Sequence, residues 1–268
     1  MLVVIVGHSE MLLGHTPDAN VQGLRLVLNV VSRFAVPLFF ILAGEHLGPR
    51  LLGEQGRATG RVYARRLVTM FAAASLVYWA VDVLKIARHR GLDAFGIVFR
   101  RELADPLHIL LWGGSTHLWF LTVLLVVVLV ANLTLVRRRV RTFVGGAVLA
   151  YGAGLMLGPY GQILGLPPGR AWFEWLLQCS LFFAVGVFLG LERQHPRRHA
   201  LAAALIVGGL ALHAAEVYWL STAYGIPLDK LAMLAGTVPY AVGVALLAFS
   251  PGSSRVPVFW SGTVCSKR

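Results

Sequence analysis

Apolar stretches of near-constant length recur along the 268-residue chain, separated by short arginine-bearing connections. Seven of them, at 24–44, 67–85, 118–136, 142–160, 172–191, 200–220 and 231–249, are long enough to cross a bilayer. A hydrocarbon core about 30 Å thick takes about 20 helical residues to cross. No water is available there, so every backbone N–H and C=O must find its partner within the chain. The pattern therefore predicts an all-α fold, a polytopic transmembrane helical bundle. The opening stretch, 1–13, is too short to span alone and reads as the outer part of a first helix, which brings the total to about 8 helices.

Composition agrees. Hydrophobic residues make up 57% of the chain and charged residues 13%, about half the charged share of an ordinary soluble domain. Mean hydropathy is +0.72. A soluble domain is excluded. The net charge of +12 raises the question of nucleic acid, but the basic residues sit in short loops between apolar runs. That is the topogenic pattern of a protein whose partner is the lipid bilayer.

The loops assign the orientation. Segment 45–66 carries Arg50, Arg57, Arg61, Arg65 and Arg66; 137–141 reads RRRVR; 192–199 carries Arg193, Arg197 and Arg198; and the tail carries Arg255, Lys267 and Arg268. By alternation these segments share one side, and they hold 15 of the 24 basic residues, which makes that side cytoplasmic. The opposite loops, 14–23, 161–171 and 221–230, hold only Arg170 and Lys230. Loop 86–117 breaks the rule, with Arg88, Arg90, Arg100 and Arg101 offset by Asp93, Glu102 and Asp105. Its segment FGIVFRRELADPLHILL is expected to form an interfacial or re-entrant helix over an outward-facing cavity. Residues 1–250 read as one integral membrane domain and 251–268 as a truncated tail.

Ionisable side chains within the apolar runs are the candidates for chemistry, because hydrocarbon makes them expensive. His8 lies in the opening run. A neutral imidazole with a pKa near ambient can take a proton from an attacking hydroxyl; the alternative is a packing histidine bonded across the bundle. Glu10 either orients His8 or pairs with Arg33. Arg33, inside 24–44, either holds a phosphate or carboxylate or forms an ion pair with Glu10, Glu45 or Glu174. Pro37 is expected to interrupt the same helix by freeing a carbonyl one turn earlier. Arg61, Arg65 and Arg66 stand at the cytoplasmic mouth of the next helix, suited to donor phosphates and equally to a plain topogenic role. His117 and Trp119 open the 118–136 helix at the outer face, where Trp119 serves as an interface anchor or, with His117, as a stacking and hydrogen-bonding surface for a sugar. His213 and Glu216, three apart, share a helix face and read as a channel lining or one satisfied buried pair. No GxSxG, HExxH or P-loop pattern occurs, and no metal site is expected.

Several of these segments together resemble the acyltransferase-3 family, multi-spanning membrane enzymes that O-acylate sugars and related hydroxyls. His8 matches the family's first-helix histidine; the arginine that precedes it in the family by about three turns would fall before Met1. AVPLFFILAG, 35–44, is similar to the family's second-helix motif, with Ala43 in place of a serine. Arg65 and Arg66 match a basic RRxxR stretch whose last arginine is Thr69 here. HLWFL, 117–121, looks like the tryptophan signature of the branch that acylates glycans. The motifs cover about 1–125. The family has more helices than are read here, so the resemblance implies a chain cut at both ends.

The resemblance implies an integral, multi-pass protein of a bacterial plasma membrane that uses cytoplasmic acyl-CoA, commonly acetyl-CoA, as co-substrate without a tightly bound cofactor. The acceptor would be a hydroxyl of a polysaccharide, lipid-linked sugar or glycosylated metabolite. His8, with Glu10, would be the base or acyl relay, Arg33, Arg65 and Arg66 would serve the donor, and His117 and Trp119 the acceptor. The rivals are an inactive member of the family and a transporter. A transporter would spread polar residues over several helices, whereas the sequence concentrates them near the first two.

Overall fold

A computed structural model describes residues 27–28, 30–90, 105–137, 139–166, 171–191 and 198–248. Among them are eight α-helices and no strand: α1 (Ala35–Leu51), α2 (Gly56–Arg90), α3 (Pro106–Trp112), α4 (Trp119–Leu135), α5 (Val140–Leu157), α6 (Ala171–Leu191), α7 (Arg198–Tyr224) and α8 (Thr237–Ala248). Five are long and apolar enough to cross a membrane, counting α1 with the turn that precedes it; α4 and α8 are apolar but shorter. All seven apolar stretches read from the sequence are helical in whole or in part. The eighth helix is the short α3, part of the segment expected to be interfacial. The opening stretch 1–13 and the tail 251–268 lie outside the described residues.

Where the helices depart from the sequence reading, local chemistry explains it. α2 starts eleven residues before 67, so Arg57, Arg61, Arg65 and Arg66 ride on helix instead of lying in a loop. Its 35 residues extend roughly 52 Å, more than the hydrocarbon core requires, so its charged start projects beyond the apolar region. The helix before α1 breaks at Arg33–Phe34, one turn before Pro37, whose missing N–H leaves the Arg33 carbonyl without its intrahelical donor. α8 begins at Thr237 rather than 231, and the chain from Gly225 to Gly236 runs inward as irregular backbone with one 3₁₀ turn, Leu228–Lys230. Ile226, Leu231, Met233 and Leu234 in this stretch are buried.

α1 and α6 form the centre. Lipid tails are as apolar as leucine, so helices in a membrane associate through close packing, often at small residues. Gly44 and Gly48 on α1 face Gly186 and Gly190 on α6, two G-x-x-x-G runs that interlock. A Cβ on Gly44 would stand 2.1 Å from the Phe183 carbonyl oxygen, and one on Gly186 2.0 Å from that of Ile41. Phe40, Ile41, Leu47, Phe182, Phe183 and Val187 fill the surrounding space and are wholly or almost wholly buried. α4 packs against both central helices, α5 lies on α6, α8 on α1, and α7 on α8. α2 sits at the edge against α4: Gly60 packs on Asn132 and Gly56 near Val136, while Phe71 and Ser75 pack on Gly113 in the turn after α3.

Candidate functional site

The two ends of the bundle differ in chemistry. At the end where α1 passes to α2 and α4 to α5, a cavity of about 310 Å³ is lined by Arg57, Arg61, Asn132, Leu133, Val136 and Arg137. Gly60 creates this geometry: a Cβ there would fall 2.4 Å from Asn132 Cγ, so only glycine lets α2 approach α4 so closely. The Oδ1 of Asn132 is buried without a hydrogen-bond partner. An unpaired buried acceptor costs about 1–3 kcal/mol. No carboxylate belongs to the lining. Basic residues from segments 45–66 and 137–141 thus meet at one end of the molecule, as alternation predicts.

The opposite half holds a buried polar cluster that closes the inward-running stretch 225–236. Arg33 Nη2 donates to the Leu228 carbonyl at 2.9 Å. Tyr151 donates its hydroxyl to the Leu234 carbonyl at 2.7 Å. Glu216 accepts from the Gly236 N–H at 2.8 Å and from the Tyr160 hydroxyl. The Leu234 N–H donates to Thr237 Oγ1, which also lies 3.1 Å from His213 Nδ1. Tyr240 ties the start of the first described helix by donating to the Val31 carbonyl at 2.8 Å. Irregular backbone at membrane depth survives only where protein satisfies it, and these side chains do so. His213 is wholly buried and its Nε2 lacks a partner.

At the same end, tryptophans gather beside α3 and the start of α4. Trp119 lies 4.2 Å from Trp175, centroid to centroid, and Trp112 meets Trp175 edge-on at 5.5 Å. His108 stacks on Trp112 at 6.0 Å. Thr122 Oγ1 accepts from Trp172 Nε1 at 3.0 Å and donates back to main-chain carbonyls. Asp105 caps α3 by accepting from the His108 N–H at 3.0 Å.

The residues singled out from the sequence are distributed as follows. His8 and Glu10 lie outside the described residues. Arg33 is half-buried and belongs to the polar cluster. Arg65 and Arg66 are exposed on α2 and do not line the arginine cavity; Arg57 and Arg61, two turns and one turn earlier and likewise exposed, do. His117 is exposed in the 3₁₀ turn before α4, and Trp119 is half-buried in the tryptophan group. His213 and Glu216 do share a region, but each takes other partners, Thr237 for one and Tyr160 with Gly236 for the other. The polar groups therefore extend from the turn before α1 over α5, α7 and α8 instead of gathering near the first helices. Trp112, Trp175, Asn132 and Arg137 were not singled out by the sequence, because their partners are distant along the chain. Among the described residues no group of three or more His, Cys, Asp and Glu is placed to hold a metal ion.

Comparison with known proteins gives one match: a family model described as an acyltransferase domain, Acyl_transf_3, matches residues 1–263. No curated protein and no solved structure matches.

Proposed function

The chain belongs to the acyltransferase-3 family, a membrane acyltransferase by that membership and by its apolar spanning helices, and we propose that it moves an acyl group, most simply acetyl, from cytoplasmic acyl-CoA to a hydroxyl of a cell-surface glycan, lipid-linked sugar or glycosylated metabolite. The observation that carries the reading is the extent of the family match, nearly the whole chain. The two-ended geometry supports it: cationic at the end read as cytoplasmic, aromatic and hydrogen-bonding at the other.

In this reading His8, oriented by Glu10, takes the proton of the acceptor hydroxyl as its oxygen attacks the thioester carbon. The C–S bond breaks, the ester forms, and the imidazolium returns the proton to the departing thiolate. Arg65 and Arg66 serve the donor side through charge-assisted hydrogen bonds; Arg33, bonded to the Leu228 carbonyl in the opposite half, lies apart from them. Trp119, with His117 beside it, offers the acceptor an aromatic face and a polar edge. The polar cluster over several helices is the one observation that would suit a transporter, but its groups are engaged in closing the stretch 225–236.

The test is acyl transfer in membranes expressing the chain, with radiolabelled acetyl-CoA supplied on the cytoplasmic side. Wild type is compared with His8→Ala at matched expression. Label on a glycan or metabolite only when His8 is present is the expected result; equal label from both proteins removes His8 as base.

A further inference from the structure

Thr122, in the first turn of α4, is buried, and its one hydroxyl reaches three helices. Its Oγ1 accepts from Trp172 Nε1 on α6 at 3.0 Å. It also lies 2.8 Å from the carbonyl of Leu111 on α3 and 2.8 Å from that of Trp119 on its own helix. A hydroxyl has a single proton to give. The Trp119 carbonyl, at the start of α4, has the helix's own N–H four residues on. The Leu111 carbonyl stands in the last turn of α3, where carbonyls lack an intrahelical donor. The proton therefore belongs to Leu111, and the hydroxyl ties α3 to α4 while the Trp172 indole ties α6 to the same point. These are the helices that supply the tryptophan group: Trp112 from α3, Trp119 from α4 and Trp175 from α6. Trp172 and Trp175 are three apart and so share a face of α6. Indoles that only anchor a protein at headgroup level need no order among themselves. Here Trp175 stands 4.2 Å from Trp119 and 5.5 Å from Trp112, all three are half-buried, and one buried hydroxyl joins the helices that carry them.

We propose that Thr122 is a positioning residue for the acceptor: it holds α3, α4 and α6 so that Trp112, Trp119 and Trp175 present one aromatic surface to a sugar ring. The inference rests on the acyl-transfer reading above and extends its acceptor side to residues outside the HLWFL match. A sugar ring offers a face of C–H groups and a rim of hydroxyls. Indoles take the first by apolar contact, and the N–H at an indole's edge donates to the second. His108, exposed and stacked on Trp112, adds a hydrogen-bonding group beside the rings. Thr122 is buried and its hydroxyl is engaged, so it acts through the indoles and not on the acceptor itself.

The test uses the full chain in nanodiscs, radiolabelled acetyl-CoA as donor, and octyl β-glucoside and octyl β-galactoside, below their micelle thresholds, as acceptor probes. Thr122→Val keeps the shape and removes the hydroxyl; Thr122→Ser keeps the hydroxyl. The close Trp119–Trp175 pair should give wild type an exciton couplet in circular dichroism, which Trp175→Phe abolishes. Thr122→Val should shrink that couplet and raise the apparent KM for the glycoside about 2- to 10-fold, the range of one aromatic contact. The KM for acetyl-CoA should stay within about twofold. Trp172→Phe, which removes the donor from the other side of the bond, should act alike, and Thr122→Ser should restore both readouts. Thr134→Val is the control: that hydroxyl bonds the Val130 and Ala131 carbonyls of its own helix, and neither readout should move. Thr122→Val with a wild-type couplet and a wild-type glycoside KM overturns the proposal. So does an equal rise in both KM values, which is general loosening, or a lost couplet with an unmoved glycoside KM, which takes the indoles off the acceptor. Wild type that neither acetylates a glycoside nor changes its indole fluorescence on adding one also overturns it, and acetyl reaching another membrane glycan in that case leaves the function standing. Glycoside binding that Thr122→Val weakens, with no acetyl transferred by wild type, keeps the aromatic surface and its Thr122 support and sinks the acyl-transfer reading.

Discussion

Gly44→Ala should be among the most damaging small substitutions in this protein, although it adds one methyl group. The new Cβ would stand 2.1 Å from the Phe183 carbonyl oxygen and 3.0 Å from the Val187 nitrogen. A carbon and a carbonyl oxygen need about 3.3–3.6 Å, so α1 and α6 must separate by roughly 1.2 Å. Both obstructing atoms belong to backbone, so no rotamer change relieves the contact. A gap of about 1 Å forfeits a quarter to a half of the dispersion attraction between facing atoms, and Phe40, Ile41, Phe182 and Phe183 all border this crossing. The cost should reach the upper end of the overpacking range, about 3 kcal/mol. By the scaling of domains of similar size this is a fall of roughly 6–12 °C in Tm. Gly186→Ala meets the Ile41 carbonyl oxygen at 2.0 Å and should cost as much. The double variant should cost less than the sum, because one separation of the helices serves both methyls. Gly208→Ala is the control: nothing lies within 4 Å of its Cβ, and alanine in a helix interior should be neutral or stabilising by about 0.5–1 kcal/mol. Thermal unfolding of purified protein in detergent, followed by tryptophan fluorescence, decides the matter. A Gly44→Ala protein that melts within about 1 °C of wild type would refute the interlocked-glycine account of the central pair.

The polar cluster and the tryptophan group make further predictions. Arg33→Gln should raise amide hydrogen exchange across 225–236, because the Leu228 carbonyl loses its donor; unchanged exchange would mean the stretch is held without it. Tyr160→Phe leaves the Glu216 carboxylate with one fewer donor and should cost about 1–3 kcal/mol, read as a lowered Tm that Glu216→Gln does not add to in full. Trp119→Ala should raise the apparent KM for the glycan acceptor several-fold, given about 1 kcal/mol for an aromatic contact, and leave the KM for acyl-CoA alone. A change confined to the donor would move Trp119 off the acceptor side. Asp105→Ala removes the cap of α3 and should cost about 1 kcal/mol, seen as faster exchange at His108.

Much of this architecture follows from local sequence. A run of about 20 apolar residues can satisfy its backbone in a membrane only as a helix, so 118–136 and 172–191 became α4 and α6 with ends shifted by no more than one residue. Pro37 placed the break at Arg33–Phe34 for an equally local reason. The glycine spacing of GEHLG and GVFLG was also present in the sequence, but a small-residue run does not name its partner helix. Only the tertiary structure decided that these two runs face each other, that Arg57 and Arg61 meet Arg137 across a cavity, and that Glu216 serves Tyr160 and Gly236 instead of His213. It also decided that 231–236 leaves the helical path, because Tyr151 from α5, Glu216 from α7 and Thr237 at the start of α8 were available to bond its backbone. Helix formation depends on neighbours within a few residues, which the sequence displays directly. A site depends on groups that the chain separates by up to about 200 residues, as with Arg33 and Leu228, and only packing brings them together.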